Sequence, residues 1–292
     1  MNYIEREQIS LFSKHLRWLD WKQMAETINK LGFGGVDLEV RPDGHVLPEK
    51  VEEDLPKVFE ICKKADVEIT MICTNIGDVS NPTTEKILKI ASRLGIKSYR
   101  TGWLFYDRGK TLNENLNDIK EKMKNLAEVN EYYGIKGSYQ NHNGNWFGSP
   151  VWDLGIVLQD IDSPWLGCQY DILNATIEAA ESWSLGMEYI VPYIHSFDVK
   201  DAKWIWENGK QKLKYVPLGE GMVNFARFLK LTEDFNVNVP ISLHAEYFLG
   251  GAEIGMNNIT TPAEKVLNAL EKDLSTIVKI SKTGNSLPVH LS

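Results

Sequence analysis

The chain has 292 residues, of which 43% are hydrophobic, and a formal net charge of −8. That much apolar material can build a sizeable core and excludes a disordered chain. The acidic balance argues against nucleic acid as the main partner, because phosphate backbones demand clustered Lys and Arg; here basic residues such as Lys120, Lys122 and Lys124 are scattered over a helix face. Three cysteines (Cys62, Cys73 and Cys168) are too isolated for a disulfide framework or a zinc knuckle. No apolar run reaches the ~18 residues of a membrane span. The opening MNYIEREQ lacks the order of a signal peptide, so a cytoplasmic protein is expected.

Strand and helix signals alternate along the chain. QISLFS (8–13) reads as strand one and WKQMAETINKLG as an amphipathic helix stopped by Gly32. GVDLEV (35–40) is strand two, followed by RPDGHVLPE and a helix over about 50–65. EITMICT (68–74) is strand three, NPTTEKILKIASRLG a helix, and KSYRTG (97–102) strand four, with a long helix over 112–133. GSYQNH, LGCQYDI, YIHSFDVKD and PISLHAE supply the later strands, with helices around 151–159, 177–190, 222–234 and 262–281. Right-handed βα crossovers of this count close most economically into a single (β/α)8 TIM barrel spanning 1–292. No glycine-rich phosphate fingerprint follows strand one, which disfavours a doubly wound open sheet. The stretch DAKWIWENGKQKLKYVPLGEG after strand seven reads as a β-hairpin insertion with an Asn-Gly turn.

Four of these strands end on a polar residue: Gln140, Asp171, Asp198 and Glu246. They lie roughly one βα unit apart, and residues at the C-terminal ends of barrel strands converge on one pocket. Three carboxylates and an amide there are oxygen ligands for a hard divalent cation.

The ordered set QNHNG, CQYDILNA, VKD, PLGEGMVNF and LHAE, with the early GFGGVDLEV, resembles the xylose-isomerase-like TIM-barrel superfamily of sugar phosphate isomerases and epimerases. The resemblance covers nearly the whole chain. It implies one divalent metal ion (Mn, Mg, Co or Zn), held by Gln140, Asp171, Asp198 and Glu246. Gln140 stands where the family's pattern has Glu, Asp198 where it has His, and Asn174 where a His is frequent. The implied shell is therefore all-oxygen, which favours Mn, Mg or Ca over Zn.

Sugar isomerases and epimerases remove a weakly acidic proton beside a carbonyl. Gln140 is neutral and accepts no proton, which leaves Glu246 as the candidate base, with His142, His244 or Lys200 as proton partners. Alternation along strand eight puts Ser242, His244 and Glu246 on one face, as it does Gln140 with His142 and Asp198 with Lys200. Candidate substrate contacts are Arg41 and His45 after strand two, Arg100 and Trp103 after strand four, and His244; Trp204 and Trp206 are candidates for a lid. The expectation is a metal-dependent isomerase or epimerase acting on a small carbohydrate. A lyase or dehydratase acting on a keto-sugar, or a non-catalytic sugar-binding barrel, stand beside it. A homo-oligomer is compatible with the exposed aromatic loops.

Overall fold

The computed structural model describes residues 4–284. Seven parallel strands appear in chain order: β1 (Ile9–Phe12), β2 (Gly35–Glu39), β3 (Glu68–Cys73), β4 (Ser98–Arg100), β5 (Lys136–Gln140), β6 (Leu166–Asp171) and β7 (Ile194–Val199). A separate antiparallel hairpin follows, made of β8 (Asp201–Glu207) and β9 (Lys210–Val216). The last strand, β10 (Ile241–Leu243), pairs with β7 on one side and β1 on the other, closing an eight-stranded barrel. This is the expected TIM barrel with a hairpin after its seventh strand. Asn208 and Gly209 both take positive φ at the hairpin turn, as an Asn-Gly turn of the hairpin type requires.

The helices α1 (Trp21–Leu31), α2 (Val51–Lys64), α3 (Pro82–Arg93), α4 (Leu112–Tyr133), α5 (Val151–Ile161), α6 (Ile172–Ala179), α7 (Trp183–Ile190), α8 (Phe225–Asp234) and α9 (Ala263–Thr283) follow the strands. Local chemistry sets several boundaries. Asp20 and Gln23 form a capping box at the start of α1, and Gly32 ends it in the left-handed region. Thr111 and Glu114 do the same for the start of α4, which spans the expected residues.

Two boundaries differ from the sequence reading. The helix expected over 177–190 is two helices, because Asp171 caps the first directly off the end of β6 by accepting from Asn174 N (3.0 Å). The chain then breaks at Ala180, where φ is +46°. The eighth barrel strand stops at Leu243 because Ala245 N donates to the imidazole Nε2 of His15 (2.9 Å) instead of to a neighbouring strand.

Alternate residues of each strand face opposite ways. Outward ones such as Leu11, Val36, Tyr99, Tyr139, Tyr170, Phe197 and Leu243 are buried against the helices. Phe197 meets Phe228 of α8 edge-on at 5.0 Å, and Tyr99 hydroxyl donates to Asn130 Oδ1 of α4 (2.8 Å). The inward faces carry the site.

Candidate active site

The inward faces are largely polar, although Phe12 also faces in and stacks on His244 at 4.4 Å. Low in the barrel the hydroxyls of Ser10 and Thr70 meet at 2.8 Å. Above them Ser242 Oγ donates to Asp37 Oδ2 (3.0 Å), joining β10 to β2 past the intervening β1. Asp171 and Asp198 sit opposite one another in the β6–β7 pairing, and Ser242 opposite Asp198 in β7–β10, so the three share a level. An interior of this kind departs from the Val, Ile and Leu layers that ordinarily fill such barrels.

Of the four side chains expected at the centre, Gln140, Asp171 and Asp198 converge, while Glu246 stands apart at the rim. Gln140 carbonyl oxygen accepts from Arg100 Nη1 (2.8 Å), while its amide nitrogen donates to Asp171 Oδ2 (3.2 Å) and to Asp198 Oδ2. Lys200 Nζ lies 2.8 Å from Asp171 Oδ2, with both side chains buried. Gln169 Nε2 donates to the other oxygen of Asp198, and His244 Nε2 is 3.3 Å from that same oxygen. Glu246, at the rim, receives Lys14 Nζ on both carboxylate oxygens (2.8 and 2.9 Å) and has His244 Nδ1 at 3.8 Å.

The electrostatics follow from this pairing. Burial opposes the charge on His244, but Asp198 and Glu246 outweigh it and lift the imidazole to about 9, so the ring is cationic at neutral pH. Burial likewise works against the Lys200 ammonium, and Asp171 and Glu246 more than restore it. Glu246 is held far below the usual carboxylate range, because nearby His244 and the Lys14 and Lys200 charges overcome its burial. Burial raises Asp37 to about 6.

His142 sits apart from this ion network. It stands edge-on to Trp103 (centroids 4.8 Å) and Trp146 (5.7 Å), and the Arg100 guanidinium lies 5.0 Å over Trp103. Burial and then the Lys200 charge lower its pKa, so the ring is neutral near pH 7. Its Nδ1 is 2.9 Å from Asn143 carbonyl oxygen, which can only accept, so Nδ1 carries the proton and Nε2 keeps the lone pair.

Of the remaining sequence candidates, Arg41 reaches Glu39 rather than a free position in the mouth; Arg17 grips the same carboxylate with two nitrogens (2.6 and 2.7 Å). His45 lies in a separate recess lined by Arg17, Leu19, Trp21 and Ile61, where Trp21 Nε1 donates to its backbone oxygen. Trp204 and Trp206 are on the exposed hairpin, half- and three-quarters exposed. Asn141 and Asn174 lock the ends of β5 and β6 together: Asn141 exchanges two hydrogen bonds with the Asp171 backbone, and Asn174 Nδ2 donates to Asn141 carbonyl oxygen. Asp201 gathers the loop after the hairpin, accepting from Ala202, Gly219, Gly221 and Val223 backbone N–H groups.

The sequence reading missed Asp37, Glu39, Gln169, Lys14, Arg17 and His15. Asp37 and Glu39 had a signal, two carboxylates at alternate positions of an otherwise apolar strand, and Gln169 had the same alternation with Asp171. Lys14, His15 and Arg17 lie on or beside a 3₁₀ turn after β1 and share no strand or helix period with the site.

In the quartet Gln140, Asp171, Asp198 and Glu246, the Lys200 and Lys14 ammonium groups already neutralise Asp171 and Glu246, and Gln140 turns toward Asp171 and Asp198 its amide nitrogen, which has no lone pair for a metal. This quartet does not fit a metal. A different group, Asp37, Asp198 and His244, has ligand atoms within 4.8 Å of one another. There Asp37 Oδ1 and His244 Nε2 are buried without a hydrogen-bond partner, but Asp198 Oδ1, the oxygen nearest His244, is already taken by Gln169 Nε2.

The model of the xylose isomerase-like TIM barrel family matches residues 25–270. The chain belongs to that family. No curated protein sequence matches it. Solved structures with this family's fold superpose along almost all of the chain. The probable 3-DHS dehydratase AsbF of Bacillus anthracis, involved in petrobactin synthesis, aligns with a TM-score of 0.68 at 16% identity, over 98% of this chain and 100% of its own. The 3-keto-D-glucoside 4-epimerase YcjR of E. coli gives 0.68 at 12%, over 92% and 99%. A xylose isomerase-like TIM barrel protein of Mycobacterium smegmatis in complex with magnesium gives 0.65 at 15%, over 90% and 89%. At these identities the likeness is one of fold.

Proposed function

We propose that this protein is an enzyme that acts on a small sugar or sugar derivative by removing a proton next to a carbonyl, an isomerase- or epimerase-type reaction. The observation that carries the reading is His142. It is neutral, its tautomer is fixed with Nε2 as acceptor, and it stands on an aromatic wall beside the cations Arg100 and Lys200. A base with a pKa near or below the working pH, facing cations that stabilise an enediolate oxygen, is the minimum apparatus for this chemistry. Trp103 and Trp146 offer flat apolar surface of the kind sugar rings stack on. The solved neighbours named as acting on a keto-glucoside and as a probable dehydratase support the same substrate range.

In this reading Glu246 is not the base. Bound on both oxygens by Lys14, it is a weak proton acceptor and serves to place Lys14 and His244 at the rim. The carbonyl oxygen of the substrate lies toward Lys200 and Arg100. The proton leaves carbon for His142 Nε2 while Lys200 protonates the carbonyl oxygen, and Lys200 then takes the proton of the adjacent hydroxyl as His142 returns its own to the former carbonyl carbon. No step is assigned to a metal.

A lyase or dehydratase is the second reading, favoured by Gln140. With an amide in place of a second carboxylate, a two-carboxylate exchange across the substrate carbon has no partner for the first base. Elimination requires one base and one acid, and the Lys200 ammonium or the His244 imidazolium can protonate a departing hydroxyl.

The test is incubation with unphosphorylated ketoses and keto-glycosides in D2O, followed by NMR. Deuterium appearing beside the carbonyl, and disappearing in His142→Asn, is the expected result. An alkene or enone product that depends equally on His142 moves the protein to the lyase reading. Sugar binding with no exchange and no product in wild type would leave a binding barrel instead.

A further inference from the structure

We propose that the cation at the centre of this barrel is part of the polypeptide: the Lys200 ammonium fills the place of a divalent ion, and the protein binds no divalent metal at this centre. The inference concerns the same site as the proposed function but stands on pairing geometry alone, not on the reaction.

Each carboxylate oxygen of Asp171, Asp198 and Glu246 already has a hydrogen donor. Asp171 spends Oδ1 on the N-terminus of α6, through Asn174 N at 3.0 Å, and Oδ2 on Lys200 Nζ at 2.8 Å. Asp198 takes one amide hydrogen from Gln140 and another from Gln169, on different oxygens. Glu246 takes Lys14 on both.

The decisive residue is Gln140. Its orientation is set from outside the centre by Arg100, whose Nη1 can only donate and therefore claims the amide oxygen. The NH2 end is thereby turned toward Asp171 and Asp198, and an amide nitrogen offers a metal no lone pair. Turning it over would set NH2 against the guanidinium and oxygen against two carboxylates. A metal at this centre would have to displace a buried ammonium, reverse this amide and break the Arg100 contact together. Removing one partner of a buried ion pair leaves the other charge buried and uncompensated, so the arrangement resists exchange. A lysine so held is a fixed positive point at the depth where a substrate oxygen arrives, which is the electrostatic service a metal supplies.

The experiment uses the purified full chain and no substrate, so its result is independent of whether any sugar is turned over. Metal content is measured by elemental analysis after exposure to Mn2+, Mg2+, Co2+ and Zn2+ in turn and removal of free ion, with thermal melting in Mn2+ and in chelator alongside. Wild type is expected to hold far less than one ion per chain and to melt at the same temperature in both. The Gln140→Glu/Lys200→Met pair restores a carboxylate and removes the ammonium, and it is expected to bind about one Mn2+ per chain and to melt higher with it. About one ion per chain in wild type, lost in Asp171→Asn, overturns the proposal. So does an ion kept in Asp171→Asn but lost in His244→Gln, which would place it on Asp37, Asp198 and His244. A folded double variant, checked by circular dichroism, that still binds no Mn2+ would overturn the role given to Lys200.

Discussion

The two faces of the barrel sheet are written on the same strands and do opposite things. Outward side chains such as Tyr99, Tyr170, Phe197 and Leu243 pack against helices and are almost wholly apolar or aromatic. One position away on β6, β7 and β10, the inward side chains are Gln169, Asp171, Ser196, Asp198 and Ser242, equally buried and polar. Burial alone therefore does not mark the core of this protein. Apolar burial supplies the net driving force for folding, whereas most inward polar groups are tolerable because a neighbour satisfies them; Ser196 Oγ and Gln169 Oε1 are exceptions with no partner. The outward face should answer to volume and the inward face to partnership.

That contrast can be broken most forcefully at Phe197 on the outward face. Phe197→Ala empties the contact with Phe228 and should cost about 3–5 kcal/mol of stability, measured by denaturant unfolding, with catalytic constants of the surviving folded fraction unchanged. A loss of turnover at full stability would mean that the two faces are not independent.

On the inward face, Asp171→Asn or Lys200→Met alone should cost about 3–5 kcal/mol by leaving a buried charge unpaired. The double variant should recover much of that, so a thermodynamic cycle should show strong coupling. Additive effects would deny that partnership rules there.

His142→Asn touches chemistry rather than stability. It should slow solvent deuterium exchange by about 10²–10⁴-fold, with melting little changed, since His142 lies outside the buried ion network.

A smaller effect concerns a carboxyl in the helix layer. Asp273 on α9 accepts from Leu218 N and Tyr247 hydroxyl, and burial raises it to about 7. The folded state then keeps a proton that the unfolded chain, with an ordinary carboxyl near ~4, has given up. Stability from this group is complete below pH ~4 and declines as pH rises from there to about 7. In Asp273→Asn that part of the decline, read from unfolding midpoints across pH, should vanish.

Smallest of all, Trp206→Ala on the exposed hairpin should alter stability by no more than about 0.5 kcal/mol. If it raises KM for a sugar without moving the melting temperature, the hairpin acts as a lid.

The outward face is what made the fold readable. Its β-branched and aromatic runs, set between helices with caps such as Asp20 and Thr111, announce eight βα units, and the Asn208–Gly209 pair announces the hairpin. The polar strand ends Gln140, Asp171 and Asp198 were visible as interruptions of those runs. Lys200 could be read as a partner for Asp171, but contacts formed where the barrel closes were harder to see, because they join residues remote in the chain: Lys14 with Glu246, and Asp37 with Ser242. Lys14 and Arg17 lie after β1 in a segment with no period at all. Asp37 and Glu39 were legible by alternation but read as part of an apolar strand. Which cation meets which carboxylate is a matter of three-dimensional distance, and no spacing in the sequence states it.

Asp201 holds the chain on both sides of the hairpin: its carboxylate is at the start of β8, and it accepts from Gly219, Gly221 and Val223 beyond the end of β9. A Cβ on Gly221 would come within 2.2 Å of that carboxylate, so the closure is built around a glycine. One side chain thus fastens both feet of the insertion to the rim. Between the feet, Leu213 and Tyr215 still pack against the core, so only the exposed far end of the hairpin, with Trp206, stands clear of the barrel, while Lys200, next to the clasp, keeps its place.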